Sequence, residues 1–283
     1  EDLYYYMPNP ESLNAEGKDM NEIPSLRYSA LTSRLGVDLS GEALGYKLGG
    51  KIETDFYYLS ATNYSDTKTA SKVSGTAQLR LRQAYATISK DGRNWKIGQA
   101  WHPMAADLPD IFSLDTGVPF GPFSRTPQVT FDWTFTKGWS LTASAITQQQ
   151  YTSTGPDGAS ANYIKYGGIP EIYLGVNLKP MDNLLVRAGV DFMSIKPYKA
   201  ISSRSNKFSA FAFAQYSESD WVIKDKLTFT QDGSHFNMIG GYGVTDVFED
   251  GTMKFENTRN LSDWVSILHK GLGNWRPCLF LGY

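Results

Sequence analysis

Apolar and polar residues alternate along this chain in one long segment after another, and that alternation leaves few folds open. Strand side chains point to opposite faces in turn. In the stretch 75–90, Leu79, Leu81, Gln83 and Tyr85 therefore fall on one face, and Arg80, Arg82, Ala84 and Ala86 on the other. The same reading sets Leu35, Val37 and Leu39 against Arg34, Gly36 and Asp38, and Ile52, Thr54 and Phe56 against Lys51, Glu53 and Asp55. Further on it sets Val129, Phe131 and Trp133 against Gln128, Thr130 and Asp132, and Ile172, Leu174 and Val176 against Glu171, Tyr173 and Asn177. No stretch carries a convincing helical period. The segments run to about ten residues or more, long against the ~5–6 of soluble strands and suited to a tilted membrane strand of ~9–11.

The connections alternate as well. Short ones are read at Ser40-Gly41, Asp91-Gly92, Lys137-Gly138, Pro180 to Asn183 and Ser217 to Asp220. Long ones are read at Pro8 to Pro24, Ala61 to Ser74, Trp101 to Ser124, Gln150 to Tyr166 and Pro197 to Asn206. An antiparallel meander with short turns at one end and long loops at the other is the mark of an outer-membrane barrel. Tyr57, Tyr58, Trp95, Trp101, Trp139, Tyr151, Tyr198, Trp221 and Trp275 sit near strand ends, where interfacial girdles place aromatics. The competing reading is a soluble sandwich with ordinary core aromatics.

The expected fold is therefore all-β: a transmembrane antiparallel β-barrel of about 16 strands, because single-chain bacterial barrels close on even numbers. Residues 1–26 are expected to hold the end of a first strand, at Leu3 to Met7, and a polar loop. Residues 27–283 are expected to form the barrel, with the last strand lying outside these residues or hidden between Gly243 and Asp263. The sequence opens without a signal peptide, as a mature or trimmed form would.

Charge and cysteine content narrow the function. A net charge of -2 gives no reason to expect nucleic acid. The single cysteine, Cys278, cannot form an internal disulfide. His102, His235 and His269 lie far apart without metal-ligand spacing, so neither a metal site nor a cofactor is expected. No nucleophile elbow, phosphate loop or dinucleotide fingerprint occurs. Ser266 with His269 is a faint candidate for a barrel phospholipase; the chain is otherwise expected not to be an enzyme.

In a barrel the polar faces look inward, since a basic charge facing lipid at mid-membrane costs ~2–4 kcal/mol. The expected pore-lining basic residues are Arg34, Lys51, Arg80, Arg82, Lys96 and Arg187. The expected acidic ones are Asp38, Glu53, Asp55, Asp132, Glu171 and Asp191. The 101–124 loop carries Asp107, Asp110 and Asp115. If it folds inward as a constriction loop, it sets acids opposite the arginine wall, and the transverse field orients dipolar or anionic solutes. Equally, the arginines pair with Glu53 and Asp55 across strands and stiffen the wall. Both roles are compatible.

Several phrases resemble a known family. Arg34-Leu35-Gly36-Val37, Gly50-Lys51-Ile52-Glu53-Thr54-Asp55-Phe56, Leu79-Arg80-Leu81-Arg82-Gln83-Ala84-Tyr85 and Ile97-Gly98-Gln99-Ala100-Trp101 occur in that order. They look like the DcaP-like porins, relatives of the phosphate-selective porins O and P, over Arg34 to Tyr283. Phe280 to Tyr283 resembles the family's penultimate strand. The resemblance implies a sixteen-stranded homotrimer in the outer membrane of a Gram-negative bacterium, in contact with its lipid. It implies passive diffusion of small hydrophilic, often anionic, solutes. The family's N-terminal coiled-coil pattern is not among these residues. Nor is the dense lysine and arginine ladder of the phosphate-selective porins, so phosphate specificity is not carried over. The alternative from another class is a secreted all-β protein whose Tyr- and Trp-rich loops hold carbohydrate.

Overall fold

The computed structural model describes residues 10–22, 33–56, 79–111, 120–148, 153–160 and 162–283. The expected strand at Leu3 to Met7 and the whole of the Ala61 to Ser74 loop lie outside them. The chain divides into two compact units, residues 1–33 with 55–79 and residues 34–54 with 80–283. The described part of the smaller unit centres on a tight turn in residues 10–22, where Leu13 bridges to Asp19 and Asn14 Oδ1 accepts from the Glu16 and Lys18 amides.

The larger unit holds a twelve-stranded antiparallel sheet. Its strands are β1 Arg34–Ala43, β2 Tyr46–Asp55, β3 Arg80–Lys90, β4 Arg93–Trp101, β5 Arg125–Thr136 and β6 Trp139–Ile146. The short β7 Ser153–Gly155 and β8 Gly158–Ser160 pair separately. The sheet resumes with β9 Glu171–Met181, β10 Leu184–Ile195, β11 Ser205–Glu218 and β12 Trp221–Gln231. A second small hairpin, β13 Tyr242–Val247 with β14 Met253–Asn257, precedes β15 Arg259–His269 and β16 Cys278–Gly282. Each strand of the large sheet pairs with the next in chain order, and β1 and β16 are its two edges.

Three expectations change. The first hairpin turns at Leu44-Gly45, not Ser40-Gly41. Both residues have positive φ, 51° and 76°, as the twist-matched two-residue turn requires. The sequence pattern extends a strand over Asn237 to Val244, but only Tyr242 to Val244 is extended, at the start of β13, and 237–241 form turn, bend and irregular backbone after the 3₁₀ segment Gly233–Phe236. The loop at Gln150 to Tyr166 holds β7, β8 and the short helix Asn162–Gly167. The alternation of connections stands: two-residue turns fall at 44–45, 91–92, 137–138, 182–183 and 219–220, and long segments lie between.

The two faces of the sheet differ in what they present. One exposes Ile52, Leu81, Ile97, Leu141, Leu174 and Val190, each 42–54% accessible. The other carries a buried cluster of Met104, Ile146, Tyr173, Phe211, Phe213, Phe236, Met238 and Trp264. Alternation fails at one place. Arg82 and Gln83 are consecutive, and both are buried on the covered face. The β3–β4 ladder runs only from Lys90 to Ala84, and beyond it the Gln99 amide donates to the carbonyls of Leu81 (3.1 Å) and Arg82 (3.2 Å). An irregularity of this kind reverses side-chain parity. Gln83 and Tyr85 consequently join the arginines, and Ala84 joins Leu79 and Leu81, correcting the face assignment read from the sequence.

Gly98 makes the break possible. Its φ is 129°, and a Cβ there would lie 2.8 Å from the Tyr85 Cα. Gly98→Val is expected to destabilise the folded protein by about 1–3 kcal/mol, measured as a lower urea midpoint in detergent. Gly41→Ala, at a site with nothing within 4 Å of a Cβ, serves as the near-neutral control.

Candidate functional site

The covered face is covered by the segment that follows β4. His102 donates its amide to Ser124 O at 3.0 Å, and a 3₁₀ turn, Pro103–Ala105, closes with Ala105 N–H on His102 O at 2.8 Å. Met104 then inserts among Phe211, Phe236 and Trp264. The segment crosses to strands far from its own. Lys226 of β12, fully buried, donates to Met104 O at 2.5 Å and to Asp107 O at 3.4 Å. Arg187 of β10 binds Asp107 Oδ1 at 2.5 Å. Lys224 of β12 binds Asp110 Oδ2 at 3.0 Å and Leu108 O at 3.3 Å. Ser266 of β15 accepts from the Asp110 amide, and Cys278 of β16 meets the Asp110 carbonyl.

These partners have a common logic. A buried ammonium is tolerable only when its protons are accepted. The segment offers backbone carbonyls, Lys226 also lies 4.8 Å from the Phe211 ring, and Asp107 and Asp110 complete two ion pairs. Three cations thus meet two carboxylates.

Beside the segment is a polar cavity of about 500 Å³, lined by Gln83, Lys96, Gln128, Asp132, Tyr173 and Arg187 among others. Tyr173 lies flat over Gly175 and Gly189, where a Cβ would collide with its ring. Asp132 accepts from Asn94 (3.2 Å) and Thr142 (2.7 Å). Lys96 stands 5.5 Å from the Tyr85 ring and, among the described residues, pairs with no carboxylate.

The other sequence-predicted residues are distributed along the wall. Lys51 binds Asp38 at 3.0 Å. Arg82, buried, binds Glu53 at 2.6 Å, so the stiffening cross-strand pair is formed at that arginine. Arg34 lies on exposed β1, Arg80 opens β3 and Asp55 ends β2. Asp115 lies outside the described residues. Glu171 and Asp191 do not line the open cavity; both are buried against histidines.

Sequence spacing missed that last grouping. His102 Nε2 is 2.8 Å from Glu171 Oε1 and 3.6 Å from Asp191 Oδ1. His235, on the 3₁₀ segment after β12, places Nε2 3.7 Å from Glu171 Oε1 and 4.0 Å from Asp191 Oδ2. Asp232 shapes this corner, accepting from the Gly241 amide (2.6 Å) and Ser234 Oγ (2.5 Å) and pairing with Lys207. Burial pushes the His235 imidazole down to about 4, although Glu171 pulls the other way.

A wide antiparallel sheet with short turns at one end, long connections at the other, an exposed apolar face and a segment laid across the opposite face is a fold shared with bacterial outer-membrane channels. Among solved structures, the chain is similar to the outer membrane channel DcaP of Acinetobacter baumannii, with 21% identity and a TM-score of 0.69 over 94% of this chain and 70% of that one. It is similar to an anion-selective porin from Comamonas acidovorans, with 13% identity and a TM-score of 0.56 over 89% and 68%. It is also similar to a loop L8 deletion mutant of OmpT, an outer membrane protein of Vibrio cholerae, with 14% identity and a TM-score of 0.51 over 89% and 72%. At these identities the likeness is one of fold. No protein-family model matches the sequence, and no curated protein matches it.

Lys226→Met keeps the stem of the side chain but removes its donors. Losing charged hydrogen bonds worth about 1.5–3 kcal/mol each should raise the detached population of the segment roughly tenfold or more. The check is cleavage by an Asp-specific endoprotease at Asp107, expected to be slow in the parent protein and at least about tenfold faster in the variant.

Proposed function

We propose that this chain is an outer-membrane porin that passes small hydrophilic solutes by passive diffusion, without a chemical step. The observation that carries the reading is the segment 102–111, tied by Arg187, Lys224 and Lys226 across the covered face beside a polar cavity. A segment held there narrows a passage without closing it, as a constriction loop does. The exposed apolar face suits lipid and favours this reading over a secreted carbohydrate-binding domain, which would need that face covered.

We assign a weak preference for anions. Among the described residues Lys96, which lines the cavity, has no carboxylate partner, and the three cations around the 102–111 segment exceed its two acids. Arg82 contributes to the wall rather than to selectivity, because Glu53 holds it. The similarity to an anion-selective porin agrees with this assignment. We further propose a homotrimer, with β12 and β15 at the subunit contact. Asp225 and Asp263 stand on the apolar side of those strands, one register step apart (Asp225 faces Val265 and Leu227 faces Asp263). Carboxylates are poorly placed against acyl chains and better placed against protein.

Planar-bilayer recording under a potassium chloride gradient tests these assignments together. Openings in groups of three and a reversal potential set modestly by chloride are expected. Reversing one charge near the ion path shifts the energy difference between chloride and potassium by about 1 kcal/mol, so Lys96→Glu should lower the chloride-to-potassium permeability ratio about fivefold. Arg82→Gln should leave the ratio unchanged and lower stability. Folded, inserted protein that never conducts would overturn the porin reading.

A further inference from the structure

We infer that His235, Glu171 and Asp191 form a binding site for a first-row divalent transition-metal ion, with His102 holding Glu171 in place. The inference does not depend on channel activity.

Hydrogen-bond direction fixes the tautomers. The Met104 amide can only donate, and it lies 3.1 Å from His102 Nδ1. That nitrogen is therefore the acceptor, and the proton sits on Nε2, aimed at Glu171 Oε1 2.8 Å away. At His235 the direction is opposite. Nδ1 lies 3.2 Å from the carbonyl of Asp232, which can only accept. Nδ1 carries the proton, and Nε2 presents a bare lone pair.

Three electron-pair donors thus converge: the carboxylates of Glu171 and Asp191 and the imidazole nitrogen of His235. Glu171 Oε2, Asp191 Oδ1 and His235 Nε2 are all buried, and none has a hydrogen-bond partner among the described residues. The ligand atoms of His102, Glu171 and Asp191 also fall within 4.8 Å of one another. Buried carboxylates facing a lone pair repel, and a cation between them removes the repulsion. An ion with bonds of about 2.0–2.2 Å in tetrahedral geometry spaces its ligands by roughly 3.3–3.6 Å. His235 Nε2 lies 3.7 Å from Glu171 Oε1 and 4.0 Å from Asp191 Oδ2, so the two carboxylate groups already stand close to that spacing, each with its second oxygen free of a hydrogen bond among the described residues.

The ligand set suits the Mn²⁺ to Zn²⁺ series, since imidazole nitrogen disfavours Ca²⁺ and Mg²⁺. The partners beyond the ligands are those of a metal site, with His235 Nδ1–H on a backbone carbonyl and Glu171 braced by His102. Access is provided by a cleft of about 660 Å³ that reaches Glu171 between Gln148, Lys165 and Pro170. The buried amide of Gln148, itself without a hydrogen-bond partner among the described residues, is placed to add an oxygen ligand or hold a metal-bound water. An ion here would tie β9 and β10 to the 232–241 connection.

The test uses the full chain, folded in detergent and dialysed against chelator. Titration with Zn²⁺ should give one ion per chain and raise the thermal midpoint. Co²⁺ should give visible d–d absorption. His235→Gln, which preserves much of the volume, should weaken binding at least tenfold and remove the absorption. His102→Gln should weaken it about 10- to 100-fold. His269→Ala, remote from the cluster in the sequence and absent from it in the structure, should change neither. If a variant fails to fold, Glu171→Gln takes its place. No ion bound by the folded parent protein would overturn the inference, since the carboxylates would then share a proton instead. So would binding unchanged in His235→Gln.

Discussion

Lys226 is fully buried on a strand whose opposite face meets an apolar environment, and its charge must be satisfied from within. The carbonyls of Met104 and Asp107 do this, and no neighbouring strand supplies them. The segment 102–111 is therefore a part of the sheet's stability. Releasing it would strand Lys226 and unpair Arg187 and Lys224 together. The same contacts hold the segment beside the polar cavity, so the proposed narrowing of a passage and the stability of the sheet would rest on one set of hydrogen bonds.

The rest of the molecule follows from keeping two solvents apart. Leu174, Val190 and Ile97 are exposed on one side of the wall, while Lys96, Asp132 and Arg187 look into the polar cavity on the other. Alternation maintains that separation over most of β4 to β12, with register shifts near Thr134 and Leu184. Its lapse at Arg82 and Gln83 brings two consecutive polar side chains to Glu53, which binds both. The tightest corner gathers His102, Glu171, Asp191 and His235 at the long-loop end, where side chains from four separate elements meet.

Much of this was legible in the sequence. Period-two alternation placed Lys51, Glu53, Lys96, Asp132 and Arg187 on one face because a single apolar solvent enforces it. Asp91-Gly92 announced its own turn, whereas Leu44-Gly45 did not, since leucine seldom takes a positive φ. Lys224 and Lys226 were readable by the same parity as their neighbours, alternating with Ile223 and Leu227. The parity change at Gln83 was not readable, because it depends on the Gln99 side chain filling the gap in the ladder. Nor was the histidine cluster, whose members are scattered from His102 to His235, with His102 and Glu171 69 positions apart. One signal pointed to it: each of the four lies on or beside a long connection, and in an antiparallel meander those ends coincide.

Hydrogen exchange of the 102–111 segment in the folded, membrane-embedded protein tests most directly whether buried cations pin it. The amides of His102, Met104 and Ala105 are bonded to Ser124 O, His102 Nδ1 and His102 O. Protection of the peptide that contains them, approaching that of the β12 strand, is the predicted result. Complete exchange at the earliest time point, with β12 still protected, would contradict it.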